Sequence, residues 1–187
     1  KIPGAELMLN SDDFLELEKL PESMIFIGAG YIGMEFAHIA ARLGVEVTVI
    51  DTEPRPLSNF DEDMVAHLTE ASEAIGIKFI FNAKASKVEK LRKYLRVTAE
   101  TKNGEEISAK AELVFNTAGR VPSIDELELE KGNVAFSNKG ITVNEHLQNT
   151  TNPSVYACGD VSNSEGLPLT PLSSQESRVV SANLLGK

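Results

Sequence analysis

Three features of the sequence predict an α/β fold in which a parallel sheet with flanking helices is joined to an antiparallel β-meander. Two short apolar runs, Met24 to Ile27 and Val45 to Ile50, bracket a stretch whose apolar residues recur at helical spacing. A strand–helix–strand order of this kind is the connection that parallel strands require. Beyond Lys84 the hydrophobic period shortens towards two around Asn103-Gly104, a strong hairpin signal.

In chain order, Pro3-Gly4 and a polar stretch come first, and Ser11 or Asp12 can cap a short helix that Pro21 follows. Met24 to Ile27 then runs into glycine, as a fully buried parallel strand would. Residues 31–43 place Ile32, Phe36, Ile39, Ala40 and Leu43 on one helical face, and Gly44 closes the helix. Val45 to Ile50 is a β-branched strand ending at Asp51. Asp61 to Ala74 reads as another helix, with Met64, Leu68, Ala71 and Ile75 inward and Gly76 at its stop. Ile77 to Phe81 is a third strand. Segments near Val88, Leu95 to Thr98 and Glu106-Ile107 form the meander, and Glu112 to Phe115 returns as a buried strand. Val121-Pro122 breaks the pattern and residues 123–154 are loop-rich. Val155 to Ala157 reads as a short strand, and Pro171 to Leu185 as a last helix ended by Gly186.

Composition narrows the function. With 187 residues, 42% of them hydrophobic, the chain can bury a core in one or two domains. Its 28 acidic and 18 basic residues give a formal charge of -10, which argues against a nucleic-acid partner. The basic stretch Lys84 to Arg96 is interleaved with apolar residues, as on the solvated face of strands. Cys158 is the single cysteine, expected as a buried, inert thiol, and it offers neither a disulfide framework nor a thiolate metal cluster. His38, His67 and His146 form no constellation and are expected at surface or boundary positions. No metal site, membrane span or membrane partner is expected, and the expected compartment is the cytoplasm. Opening on Lys1 within a polar connector, the chain reads as an excerpt of a longer polypeptide.

Gly28-Ala29-Gly30-Tyr31-Ile32-Gly33 matches Gly-x-Gly-x-x-Gly. Such a pattern is weak alone, but here it follows a predicted strand and opens a predicted helix. In that setting Gly28 permits a tight turn, Gly30 lets the backbone approach a pyrophosphate, and Gly33 lets helix and strand pack closely. Amides at the helix start face the phosphate charge. Asp51 completes the pattern at the end of the second strand, at the spacing expected of a ribose-binding acid. Its carboxylate favours NAD(H), whereas Arg55 in the following loop could reach the 2′-phosphate of NADP(H). The sheet is therefore expected to be Rossmann-like.

Here the residues resemble a known family. Gly30 to Ala37 is similar to the NAD(P)H-domain motif of the FAD-dependent pyridine nucleotide–disulfide oxidoreductases, the relatives of glutathione reductase and lipoamide dehydrogenase. Thr117 to Pro122 resembles their segment leaving the nicotinamide domain. Asn152 to Val161 resembles their second FAD motif, and Leu169-Thr170-Pro171-Leu172 the segment lying against the flavin. Ile2-Pro3-Gly4 and Ser11-Asp12-Asp13 resemble the connector from the first FAD segment. The resemblance implies residues 1–15 as connector from a FAD domain, 16–118 as NAD(P)H-binding domain, and 119–187 as a further piece of the FAD domain. It implies Tyr31 as the ring shielding the flavin until nicotinamide displaces it, and Glu35 beside the nicotinamide pocket; these two are the candidate catalytic positions. Ile32, Thr52, Gly119 and Arg120 join the cofactor-binding set. Gly159-Asp160 would meet the ribityl chain of FAD, and Leu169 and Thr170 the pyrimidine end of the flavin.

The sequence departs from the family in carrying one glycine turn rather than two, and no Cys-x-x-x-x-Cys pair. The family's C-terminal dimerisation domain, through which a parent would be a homodimer, has no counterpart either. Two functions are expected from these residues. One is the nicotinamide-binding part of a flavoenzyme passing a hydride from NAD(P)H to FAD and on to a disulfide-type acceptor, inactive by itself. The other is a free-standing, non-catalytic NAD(H)-binding or sensing module.

Overall fold

The computed structural model describes residues 2–186; Lys1 and Lys187, the outermost residues of the first and last expected segments, lie outside the described residues. The chain divides into two compact units between Gly119 and Arg120.

The first unit contains α1 (Ser11–Leu15), β1 (Ser23–Ile27), α2 (Tyr31–Arg42), β2 (Glu46–Ile50) and α3 (Glu62–Ala74), then β3 (Lys78–Ile80), β4 (Ala83–Lys90), β5 (Leu95–Thr101), β6 (Glu106–Ala111) and β7 (Leu113–Asn116). Strands β3-β2-β1-β7 form a parallel sheet in that order, with Phe26 level with Val49 and Phe115. Strands β4-β5-β6 form the antiparallel meander, whose second hairpin turns at Asn103-Gly104. The α/β fold, with its parallel sheet and its meander, is as the sequence predicts.

Alternation along the parallel strands separates two cores. Met24, Phe26, Val47, Val49 and Phe115 face one side, where Met34, Ala37 and Ala40 of α2 and Phe14 of α1 cover them. Ile25, Ile50 and Val114 face the other side, where Val88, Val97, Ala99 and Ala111 of the meander close over them. Helices therefore cover one face and the meander the other. The basic residues Lys84, Lys87, Lys90, Arg92 and Lys93 lie on the exposed side of the meander. Lys93 reaches Glu22 at 2.8 Å and Glu112 at 3.0 Å. These two carboxylates raise the Lys93 ammonium above its ordinary range, the hydrogen bond to Glu22 first among the causes.

Local departures from the sequence reading have local causes. The cap of α1 is Asn10, not Ser11 or Asp12. Its Oδ1 accepts from the Asp12 and Asp13 amides, and the Asp13 carboxylate accepts from the Asn10 amide, a reciprocal capping box. Helix α2 turns Ala40 and, in part, Phe36 inward as expected, but the rest of its inner face differs. It buries Gly33, Met34, Ala37 and Ala40 and leaves Ile39 and Leu43 47% and 61% exposed. Small residues face the sheet because the helix sits close to it. In α3, Val65 is inside and Met64 is 68% exposed.

The second unit contains β8 (Phe136–Ser137), β9 (Gly140–Thr142), β10 (Ser162–Asn163) and α4 (Thr170–Leu184). β8 and β9 pair antiparallel, β9 and β10 parallel. Ile124, Leu129, Val134, Ile141 and Ala157 form its core. The expected strand Val155 to Ala157 is a single bridge, Tyr156 to Gln148. Next to it the Asn149 Oδ1 accepts from the Thr151 and Asn152 amides, so the chain turns there.

Two outcomes follow for the first unit. Phe115 is fully buried, ring to ring with Phe14 and Phe26 at 5.5 and 5.3 Å. Phe115→Ala is expected to cost about 3–5 kcal/mol in denaturant unfolding. His38 of α2 meets the buried Ser72 of α3 at 2.8 Å, and burial, then Arg42, lowers its imidazole below the ordinary range. The unfolded chain therefore takes up this proton first. His38 stabilises the fold above the unfolded value of about 6.5, and that contribution is lost as pH falls through and below it. The His38 titration followed by NMR is expected below the value of a denatured control.

Candidate functional site

The glycine turn lies where β1 passes into α2, beside the ends of β2 and β7, and it is held through its own backbone amides and carbonyls. The Gly28 amide donates to the Ile50 carbonyl at 2.8 Å, and the Thr117 amide to the Ile27 carbonyl at 2.8 Å. Thr117 Oγ1 donates to the Gly28 and Ile27 carbonyls at 2.7 and 3.1 Å.

Two of the three glycines are demanded by this crowding. Gly28 has φ +109°, and a Cβ there would lie 2.5 Å from Ala118 Cα. A Cβ on Gly33 would strike the Gly28 carbonyl oxygen and come within 2.7 Å of Thr117 Oγ1. Gly30 is different. Its φ of -70° is open to any residue, and a Cβ would meet no protein atom within 4 Å. Nothing inside the protein requires a glycine at position 30. Gly30 also caps α2 without a side-chain hydrogen bond to the first-turn amides.

Asp51 is aimed at this turn. Its backbone is fixed on both sides, the amide donating to Ile80 and the carbonyl accepting from Ala83, each at 3.0 Å. Oδ2 accepts from the Ala29 amide, and Oδ1 from the Glu53 amide at 2.8 Å and the Thr52 hydroxyl at 3.5 Å. Oδ1 thus has both lone-pair sites taken, and Oδ2 keeps capacity for a further donor. Arg55 is committed to its own loop, donating to the Leu57, Ser58 and Phe60 carbonyls at 3.2, 2.9 and 3.1 Å. The Leu57 amide in turn donates to Ala29 O at 2.9 Å, so loop 52–60 is fastened to the turn.

Tyr31 and Ile32 are half-buried in the first turn of α2, and Glu35 is exposed one turn beyond Tyr31. Gly119, the last residue of the first unit, is exposed, as is Arg120, the first of the second.

In the second unit, Gly159 to Val161 form a 3-10 turn with Asp160 exposed at its surface. Leu169 caps α4 and is half-buried; Thr170 begins the helix and is exposed. Cys158, expected buried, is half-buried. Glu176, which the sequence reading did not single out, is buried behind this turn. Its Oε2 accepts from the Gly159 amide at 2.6 Å and its Oε1 from the Ser164 hydroxyl at 2.6 Å. No local pattern signals this role, because its partners lie 12 and 17 residues away. His67 and His146 are exposed. Among the described residues no group of His, Cys, Asp or Glu could hold a metal ion, and no helix is long and apolar enough to cross a membrane.

The family model of the pyridine nucleotide-disulphide oxidoreductases matches residues 1–177. The chain belongs to this family. Dihydrolipoyl dehydrogenase of Bacillus subtilis (strain 168) is 40% identical over 156 residues, which are 83% of this chain and 33% of that protein. Glutathione reductase of a Nostoc species is 33% identical over 197 residues, 100% of this chain and 42% of that protein. Among solved structures, the HOCl-induced flavoprotein disulfide reductase RclA of Escherichia coli superposes with a TM-score of 0.85 at 27% identity, over 100% of this chain and 42% of that one. The chain thus spans between a third and about two-fifths of the length of these relatives, which are oxidoreductases by name.

Gly33 and Gly30 separate by their effects on folding. Gly33→Ala is expected to destabilise the fold by about 2 kcal/mol or more through backbone displacement. Gly30→Ala is expected to change stability by no more than about 0.5 kcal/mol, both read from denaturant midpoints.

Proposed function

We propose that residues 16–118 bind NAD(H) and that residues 119–187 contribute to a flavin site, as the nicotinamide-binding part of a flavoprotein oxidoreductase with a disulfide-type acceptor. Residues 1–15 are the connector from the flavin domain in this reading. The observation that carries it is Gly30: in a turn where the protein explains the other two glycines, the third opens onto empty space at the start of α2, where no side chain caps the helix. A diphosphate seated there would meet backbone amides and the positive end of the helix.

The residues present fit the cofactor. Asp51, anchored through Ala29 and Glu53, keeps acceptor capacity on Oδ2 for a ribose hydroxyl and would repel a 2′-phosphate. Arg55 is held by three carbonyls of its own loop, so the guanidinium that the sequence offered for NADP(H) is otherwise engaged. NAD(H) is therefore the preferred nucleotide. Ile32 and Thr52 flank the pyrophosphate and ribose positions. Tyr31 is the ring that shields the flavin until nicotinamide displaces it, and Glu35, one turn along the same helix face, orients the carboxamide or a nearby lysine. Asp160 accepts from the ribityl chain of FAD, while Leu169, Thr170 and the start of α4 meet the pyrimidine end of its ring. Gly119 and Arg120 complete the cofactor-binding set.

When bound, the two cofactors supply the chemistry, a hydride leaving nicotinamide for flavin. This step needs no side-chain acid or base, so the protein's part is alignment and electrostatics. On its own the chain, with one glycine turn and one cysteine, would bind nucleotide without turnover. A purely NAD(H)-sensing module would leave the Gly159 to Thr170 region without a task.

Titration of the chain with each nucleotide, followed by nicotinamide fluorescence, tests the reading. NADH is expected to bind at least about tenfold more tightly than NADPH, ~1.4 kcal/mol. Asp51→Ala is expected to erase that difference and Gly30→Val to abolish binding of both. Tighter binding of NADPH, or unimpaired binding by Gly30→Val, would overturn it.

A further inference from the structure

Helix α4 buries one side chain, and that side chain is a carboxylate. Glu176 is 7% exposed, while the Val179, Leu184 and Leu185 side chains of the same helical region are turned outwards. Burying a carboxylate is costly unless hydrogen-bond donors replace its water. The donors are supplied by a single short segment. Oε2 takes the Gly159 amide at 2.6 Å, and the Ser162 hydroxyl lies 3.3 Å away; Oε1 takes the Ser164 hydroxyl at 2.6 Å. The same Ser162 hydroxyl donates to the Gly159 carbonyl at 2.9 Å. Glu176 thus clamps the turn that carries Asp160 to the helix whose first residue is Thr170.

We propose that Glu176 is a positioning residue for the flavin: it fixes the place of the Asp160 carboxylate relative to Leu169 and the start of α4. The inference rests on the reading above, that Asp160 and Thr170 face FAD. It goes beyond that reading in assigning the spacing of the two to a residue that touches neither the flavin nor the nucleotide. The clamp works by geometry. An amide at position 176 still offers an oxygen to Gly159 and an N–H to Ser164, whereas a shorter carboxylate keeps the charge but cannot span both partners.

The test compares Glu176→Gln, Glu176→Asp and Asp160→Ala in the full protein carrying this chain. FAD affinity is read from flavin fluorescence, and hydrogen exchange of residues 159–164 is read in the flavin-free protein. Glu176→Asp is expected to weaken FAD binding about tenfold and to remove protection of the Gly159 amide. Glu176→Gln should stay within about threefold of the unsubstituted protein with protection kept. Loss of FAD affinity in Glu176→Gln equal to that in Glu176→Asp would overturn the geometric role, as would unchanged affinity in Glu176→Asp. Unimpaired FAD binding by Asp160→Ala would instead sink the flavin reading itself. Weakening by Asp160→Ala alone would sink only the role of Glu176.

Discussion

The close seating of α2 on the end of β1 is the constraint on which the candidate site depends. It exists because Gly28 and Gly33 have no side chains to hold the elements apart, and because Thr117 bonds back to the turn it supports. The small residues of the helix, Ala37 and Ala40, continue that contact along the sheet. With the helix drawn in this far, Gly30 at its start borders open space, and Asp51 holds the Ala29 amide one residue earlier. Nucleotide recognition, in the proposed function, is a by-product of packing that would be needed anyway to close the core.

Much of this was legible in the sequence, for reasons that differ by element. Strands β1, β2 and β7 announce themselves because both faces are buried, which leaves continuous apolar runs. The meander is visible through its period and Asn103-Gly104. The spacing of the glycines and Asp51 is legible because it is local along the chain. The inward face of α2 was legible only in part. Ala40 and Phe36 pack inward as the periodicity suggests, but Gly33, Met34 and Ala37 take the remaining places and leave Ile39 and Leu43 outside. Asn10 was overlooked as a cap because Ser11 and Asp12, equally good formers of caps, stand next to it.

Glu176 shows a different limit. Its partners are a glycine amide and two serines on the far side of a loop, and no residue near it in sequence hints at the contact. Sequence reasoning treats a glutamate on a helix as solvated, which holds for most. Arg55 illustrates the reverse case. The sequence left open a phosphate contact from that position, and its geometry of three carbonyl acceptors within a five-residue reach makes the arginine a staple of its own loop.

The bond from Ala29 to Asp51 has a consequence for redesign. One carboxylate both selects among nucleotides, in the proposed function, and holds the amide of the residue between the first two glycines. Discrimination and rigidity therefore share an atom. Exchanging the acid for a smaller or neutral residue, the obvious route to accepting a phosphorylated ribose, would also slacken the loop that must grip the diphosphate. A change of nucleotide at this position has to be accompanied by a new acceptor for Ala29.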